Sequence, residues 1–133
     1  MSEQANIDAV QGIYDAFGRG DVPGVLGRLD QGAELAFEAP STVPWAGQWR
    51  GIDGWTKFFQ TLATHLDGIT VKMQPFAAQG DRVVFAGRYT AKVKATGKTI
   101  DSPLVHLWTV RNGKALKCQE MANTAAEVAA CGA

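Results

Sequence analysis

Two histidines are present in the 133 residues, and one of them sits where acid–base chemistry could use it. "SPLVHLWTV", Ser102 to Val110, reads as a strand with Leu104 and Trp108 on one face and Val105 and Leu107 on the other. A strand apolar on both faces is covered on both sides, which buries His106 in its middle. The following segment divides into Leu116, Cys118, Glu120 and Ala122 against Lys117, Gln119, Met121 and Asn123. The turn "VRNGKA" decides which set joins His106. A three-residue loop, Arg111-Asn112-Gly113 with a glycine bulge, pairs Val110 with Lys114 and sets His106 opposite Cys118 and diagonal to Glu120. A two-residue Asn112-Gly113 turn instead puts His106 across from Gln119 and sends Glu120 to the other face. The bulged loop is preferred, because it gathers Leu104, Trp108, Leu116 and Cys118 into one apolar lining around a single His and a single Glu.

Such a pair has defined chemistry. A buried imidazole loses solvation and tends to be neutral, a nearby carboxylate restores its basicity, and the buried Glu is itself harder to ionise. The two can shuttle a proton near neutral pH, one orienting the other. The same pattern also fits a histidine that only bonds a neighbour and braces the sheet.

The elements that must position this pair follow from periodicity. Ile7, Val10, Ile13, Tyr14 and Phe17 mark one face of a first helix. "GRGD" ends it, and Asp21 caps a short second helix with Pro23 in its first turn and Val25, Leu26 and Leu29 buried. "AELAFEAP" is a strand stopped by Pro40, and "STVPWAGQWRG" an irregular loop. After Asp53, a capping residue, Trp55, Phe58, Phe59, Leu62 and Leu66 describe a third amphipathic helix. The period then changes to two over 69–79, 82–95, 98–111 and 114–123, split by the hairpin signals "QGDR", "ATGK" and "RNGK". The tail "TAAEVAACGA" is weakly patterned, a frayed helix at most. Helices followed by an antiparallel meander make an α+β domain, and long strands in a small sheet twist enough to enclose a cavity with the helices. Trp45 and Trp49 in the loop either cover the cavity mouth or plug its open end. Tyr14, Phe17, Phe59 and Trp108 belong to a core that is continuous with the cavity wall.

Composition narrows the class. Residues 1–133 form one domain, with no repeat, linker or low-complexity run. Thirteen basic and thirteen acidic residues cancel, with no basic cluster, so neither nucleic acid nor an anionic membrane is an expected partner. The start lacks the pattern of a secretory signal, no apolar stretch is long enough to span a bilayer, and two isolated cysteines suit a reducing cytoplasm. "GRGDVPG" follows a helix rather than a strand and lacks phosphate-loop spacing. His65 and His106 lie far apart, no covalent-nucleophile motif occurs, and neither metal nor cofactor is expected.

"IYDAFGRGDVPGVLGRL", "VPWAGQWRGIDGWTKFFQTL" and "SPLVHLWTVRNGKALKCQEMANTA" together resemble the nuclear transport factor 2-like superfamily, and within it the SnoaL-like (polyketide cyclase-like) branch. The resemblance covers nearly the whole chain. It implies a cone-shaped α+β barrel: three N-terminal helices on a strongly curved, mostly antiparallel sheet enclosing a pocket, usually a homodimer through the outer sheet face. It also implies acid–base work by a carboxylate on the last strand and a histidine on the strand before, positions that correspond to Glu120 and His106. Ketosteroid isomerases of the same superfamily carry an Asp base before a proline, where "FEAP" has Ala39 with Glu38 beside it, and Tyr14 is one residue out of step with their oxyanion tyrosine. Steroid isomerisation is therefore disfavoured. The Asp-Thr frequent after the family's last strand is Asn123-Thr124 here, which leaves Asn123 a ligand contact without an acid role.

Two functions are consistent with these readings. One is a cofactor-independent isomerase, cyclase or lyase acting on an apolar, carbonyl-bearing molecule, with Glu120 and His106 catalytic and Tyr14, Phe17, Trp45, Phe59, Trp108 and Asn123 around the ligand. The other is a non-catalytic module of the same fold that binds a small molecule or dimerises.

Overall fold

A computed structural model describes residues 2–132. Ser2 accepts a hydrogen bond from the Ala5 amide and opens α1, Glu3–Gly18, whose inward face buries Val10, Ile13 and Ala16. Gly20, at φ 71°, makes the left-handed turn that stops it, and Asp21 then caps α2, Val22–Leu26, through the Gly24 amide at 2.9 Å. Leu29, expected on α2, is the first residue of β1, Leu29–Glu38.

The loop before the third helix is more ordered than its composition suggests. Gly47–Arg50 forms an edge strand, β2, antiparallel to β1 with Leu35 opposite Trp49. α3 runs over Gly51–His65, so Asp53 lies inside its first turn, where a carboxylate suits the helix dipole, and is not the cap. β3 (Leu66–Gln79), β4 (Arg82–Val93), β5 (Thr99–Arg111) and β6 (Lys114–Ala122) form the expected meander. The tail is a defined helix, α4, Thr124–Ala130.

The sheet order is β2-β1-β6-β5-β4-β3, and β1 is parallel to β6 while the other neighbouring pairs are antiparallel. Gly87 on β4 is required by close approach: a Cβ there would lie 1.8 Å from the Lys72 carbonyl oxygen on β3. α1 and α3 lie over one face, and side chains from both helices and the sheet enclose a cavity. On the opposite face Val84, Leu107 and Gln119 form one row, and Ala86, Val105 and Met121 the next. Among the described residues no helix is long and apolar enough to cross a membrane.

Candidate functional site

The β5–β6 hairpin sets the site, by a route different from the expected loop. Arg111 pairs with Lys114, so Asn112 and Gly113 form a two-residue turn, with φ of 53° and 76°. A two-residue turn alone would send Glu120 to the far face. The bulge lies inside the strand instead: Val110 pairs with Ala115 but Thr109 with Lys117, leaving Leu116 as the extra residue. Its cause is tertiary. The Ala115 amide donates to the Arg28 carbonyl at 3.0 Å, at the entry to β1. Ala115 rather than Leu116 therefore turns into the core, and Glu120 returns to the inner face directly opposite His106.

The resulting inner row runs across four strands as Phe85, His106, Glu120 and Phe37. Two ionisable groups are thus flanked by two phenyl rings. His106 Nε2 lies 2.7 Å from Glu120 Oε1, with side-chain exposures of only 6% and 13%. On its other side, His106 Nδ1 lies 2.5 Å from the Tyr14 hydroxyl, which also accepts from Trp108 Nε1 at 2.9 Å. Burial, followed by the neighbouring Cys118 and Glu120, pushes the Tyr14 phenol well above its ordinary range, while the Trp108 bond pulls the other way. The phenol therefore keeps its proton. Accepting from Trp108 leaves the hydroxyl free to donate to Nδ1, and in the tautomer that takes this bond the Nε2 proton faces Glu120.

This network is incomplete in one place. His106 Nε2 makes close contact with Glu120 without hydrogen-bond geometry, and both Nε2 and Glu120 Oε2 are buried without a hydrogen-bond partner. Polar atoms of this kind cost about 1–3 kcal/mol each when left unpaired, and at a cavity wall a ligand or water can satisfy them. Both residues line the cavity, with Tyr14, Phe17, Trp45, Phe59 and Trp108 among the aromatic groups around them. The cavity volume is about 80 Å³, several times what one water needs. Trp45 is 1% exposed and lines the cavity. Asn123 is absent from the lining: its side chain accepts from the Ala126 amide and caps α4, at an exposed position.

Sequence reasoning missed two contributors, Glu127 and Tyr89, and read a third, Cys118, only as apolar lining. Glu127 on α4 is fully buried and accepts hydrogen bonds at Oε2 from Tyr89 and from Trp45 Nε1. Burial raises its carboxyl above the ordinary value, the Tyr89 and Trp45 bonds offset this in part, and Glu120 adds to the rise. Tyr89 shares the inner face of β4 with Phe85, a parity that the strand pattern already contained. Cys118, fully buried, has a thiol driven up by burial and then by Glu120. The donor atoms of His106, Cys118 and Glu120 lie within 4.8 Å of one another, a set that could hold a metal ion and that a search for paired histidines overlooks.

Comparison with known proteins bears on the family and the fold. A 28% identical uncharacterized protein of Mycobacterium tuberculosis aligns over 123 residues, 90% of each chain. The crystal structure of an NTF2-like protein from Burkholderia xenovorans LB400 superposes with a TM-score of 0.87 at 32% identity over 98% of each chain. The protein TerC, co-crystallized with polyporic acid, superposes with a TM-score of 0.87 at 28% identity, covering 97% of this chain and 99% of its own. The SnoaL-like domain model matches residues 10–117, nearly the whole span from α1 to β6. The chain is a member of the SnoaL-like domain family, on the NTF2-like α+β fold.

Proposed function

We propose that this chain is a small-molecule enzyme of the isomerase, cyclase or lyase type that works by acid–base chemistry on an apolar, carbonyl-bearing substrate. The observation that carries the reading is the pair of orphaned atoms, His106 Nε2 and Glu120 Oε2, at the wall of an aromatic cavity. A ligand carbonyl oxygen accepts from Nε2–H, and Glu120 removes a proton from the adjacent carbon. The C–H electron pair becomes the enolate double bond, and its oxygen charge is held by the imidazole N–H. Return of the proton to another carbon gives an isomer, attack on a second carbonyl closes a ring, and expulsion of a β-substituent gives elimination. Tyr14 is a positioning residue: by donating to Nδ1 it keeps the Nε2 proton aimed at the reaction. The aromatic walls select flat, apolar substrates, and TerC's co-crystallization with polyporic acid supports a small organic occupant. The apolar outer rows containing Val84, Leu107, Val105 and Met121 suit a second copy of the chain, as the family resemblance implies.

A second reading, a binding module without turnover, is favoured by the bracing of His106 Nδ1 through Tyr14 and Trp108. A panel of aromatic ketones and hydroxyquinones separates the two, with tryptophan fluorescence for binding and product analysis for turnover. The enzyme reading expects turnover in wild type, and loss of it in Glu120→Gln and His106→Ala. Binding that survives both substitutions, with turnover in none of the three proteins, overturns it.

A further inference from the structure

His106, Cys118 and Glu120 bring three different metal-ligating atoms to one point on the cavity wall, all within 4.8 Å. Glu120 stands opposite His106, and Cys118 precedes Glu120 by two residues on the same strand, so the pleat aims all three side chains inward. We propose that these residues bind a thiophilic divalent cation of the Zn²⁺ type, with its remaining coordination position open to the cavity. This goes beyond the acid–base reading and shares two residues with it, but does not depend on turnover.

Four features carry the assignment. The donor set of imidazole nitrogen, thiolate sulfur and carboxylate oxygen is the set zinc takes in preference to magnesium or calcium. Two donor atoms, His106 Nε2 and Glu120 Oε2, are buried without hydrogen-bond partners, so a cation would satisfy atoms that the protein leaves orphaned. One thiolate and one carboxylate neutralise a double positive charge, which lets the complete site sit in an apolar cavity without a net buried charge. Finally, a metal-binding histidine needs a partner on its other ring nitrogen, and Tyr14 already lies 2.5 Å from Nδ1. On binding, Nδ1–H would donate to the Tyr14 oxygen, which also accepts from Trp108 Nε1, and Nε2 would be freed for the cation. Bonds of about 2.0–2.3 Å in a tetrahedral site place donors roughly 3.3–3.8 Å apart. The 2.7 Å contact between Nε2 and Oε1 must then open by about half an ångström or more, a small side-chain rotation. A cation held there would supply Lewis-acid polarisation of a ligand carbonyl at the same place on the cavity wall.

The test is titration of the chelator-treated protein with Co²⁺, read by absorption, followed by competition with Zn²⁺. The expected result is one ion per chain with a thiolate-to-cobalt charge-transfer band in wild type and in Cys131→Ser. The band is absent in Cys118→Ser and Cys118→Ala, with circular dichroism confirming that both variants are folded. Tyr14→Phe keeps the band and weakens affinity by about 10–100-fold, as loss of an outer partner does. No thiolate band in wild type, or a band that survives both Cys118 substitutions, overturns the proposal. Fluorescence binding of an aromatic ketone to the same chelator-treated protein reads the pocket separately. Ketone binding without a cobalt band rejects only the cation site, and a cobalt band without ketone binding rejects only the acid–base reading.

Discussion

Removing one oxygen, in Tyr14→Phe, probes the site without changing its shape. The hydroxyl lies 2.5 Å from His106 Nδ1 and accepts from Trp108 Nε1 at 2.9 Å, and both partners are nearly inaccessible to water. Phenylalanine fills the same volume, so no cavity opens. What remains is an indole N–H and an imidazole nitrogen with no partner. Each orphaned buried group costs about 1–3 kcal/mol, so a combined loss of about 2–4 kcal/mol is expected, less than the sum of maxima because the groups share one network. Urea denaturation measures this loss. Nitrogen-detected NMR of the imidazole measures the second consequence: wild type holds the proton at Nε2, and the variant distributes it between both nitrogens. A loss below about 0.5 kcal/mol, the range of an uninvolved surface change, together with an unchanged tautomer, would refute the network.

Three further outcomes follow from other parts of the fold. Glu127, raised above the ordinary carboxylate value by burial, binds its proton more tightly folded than unfolded. Its contribution is therefore complete at acidic pH and declines as pH rises from the ordinary carboxylate range through its raised folded value. Wild type should lose stability relative to Glu127→Gln over that interval, and parallel stability–pH curves would contradict the assignment. Gly87→Ala places a methyl group 1.8 Å from the Lys72 carbonyl and should cost about 3 kcal/mol by urea denaturation, whereas a change below about 1 kcal/mol would show that β3 yields freely. Leu107→Glu, on the outer sheet face, should convert a dimer to a monomer in sedimentation velocity, and a monomeric wild type would remove the proposed interface.

Periodicity carried much of the architecture. The steps from Val10 to Phe17 and from Trp55 to Leu62 mark helical faces because a buried stripe must recur with the helical turn. The long alternations from residue 69 mark strands for the corresponding reason, although Leu66, expected on the third helix, already opens β3, and the glycine turns between them separate the meander. β2 was illegible because "GQWR" has no alternation of its own and becomes a strand only by pairing with β1. Placement of Glu120 on the His106 face was legible from the grouping of apolar residues, yet the bulge was assigned to the loop. Its true position depends on the Ala115–Arg28 hydrogen bond between segments distant in sequence. Glu127 was hidden because a lone acid among alanines reads as solvated. Only the packing of α4 against Tyr89 and Trp45 buries it. Asn123 was assigned by family position, whereas its side chain is taken by the local requirement for a helix cap.

The central claim is that Glu120, oriented against His106, moves a proton on a bound carbonyl compound. The most direct measurement is proton NMR, in D₂O, of deuterium uptake at the carbon next to the carbonyl of a ketone held in the cavity. Wild type should exchange that proton, and Glu120→Gln should slow exchange by about 10²–10⁴-fold while still binding the ketone, the span attributed to a positioned general base. Equal exchange rates in wild type and Glu120→Gln would contradict the account.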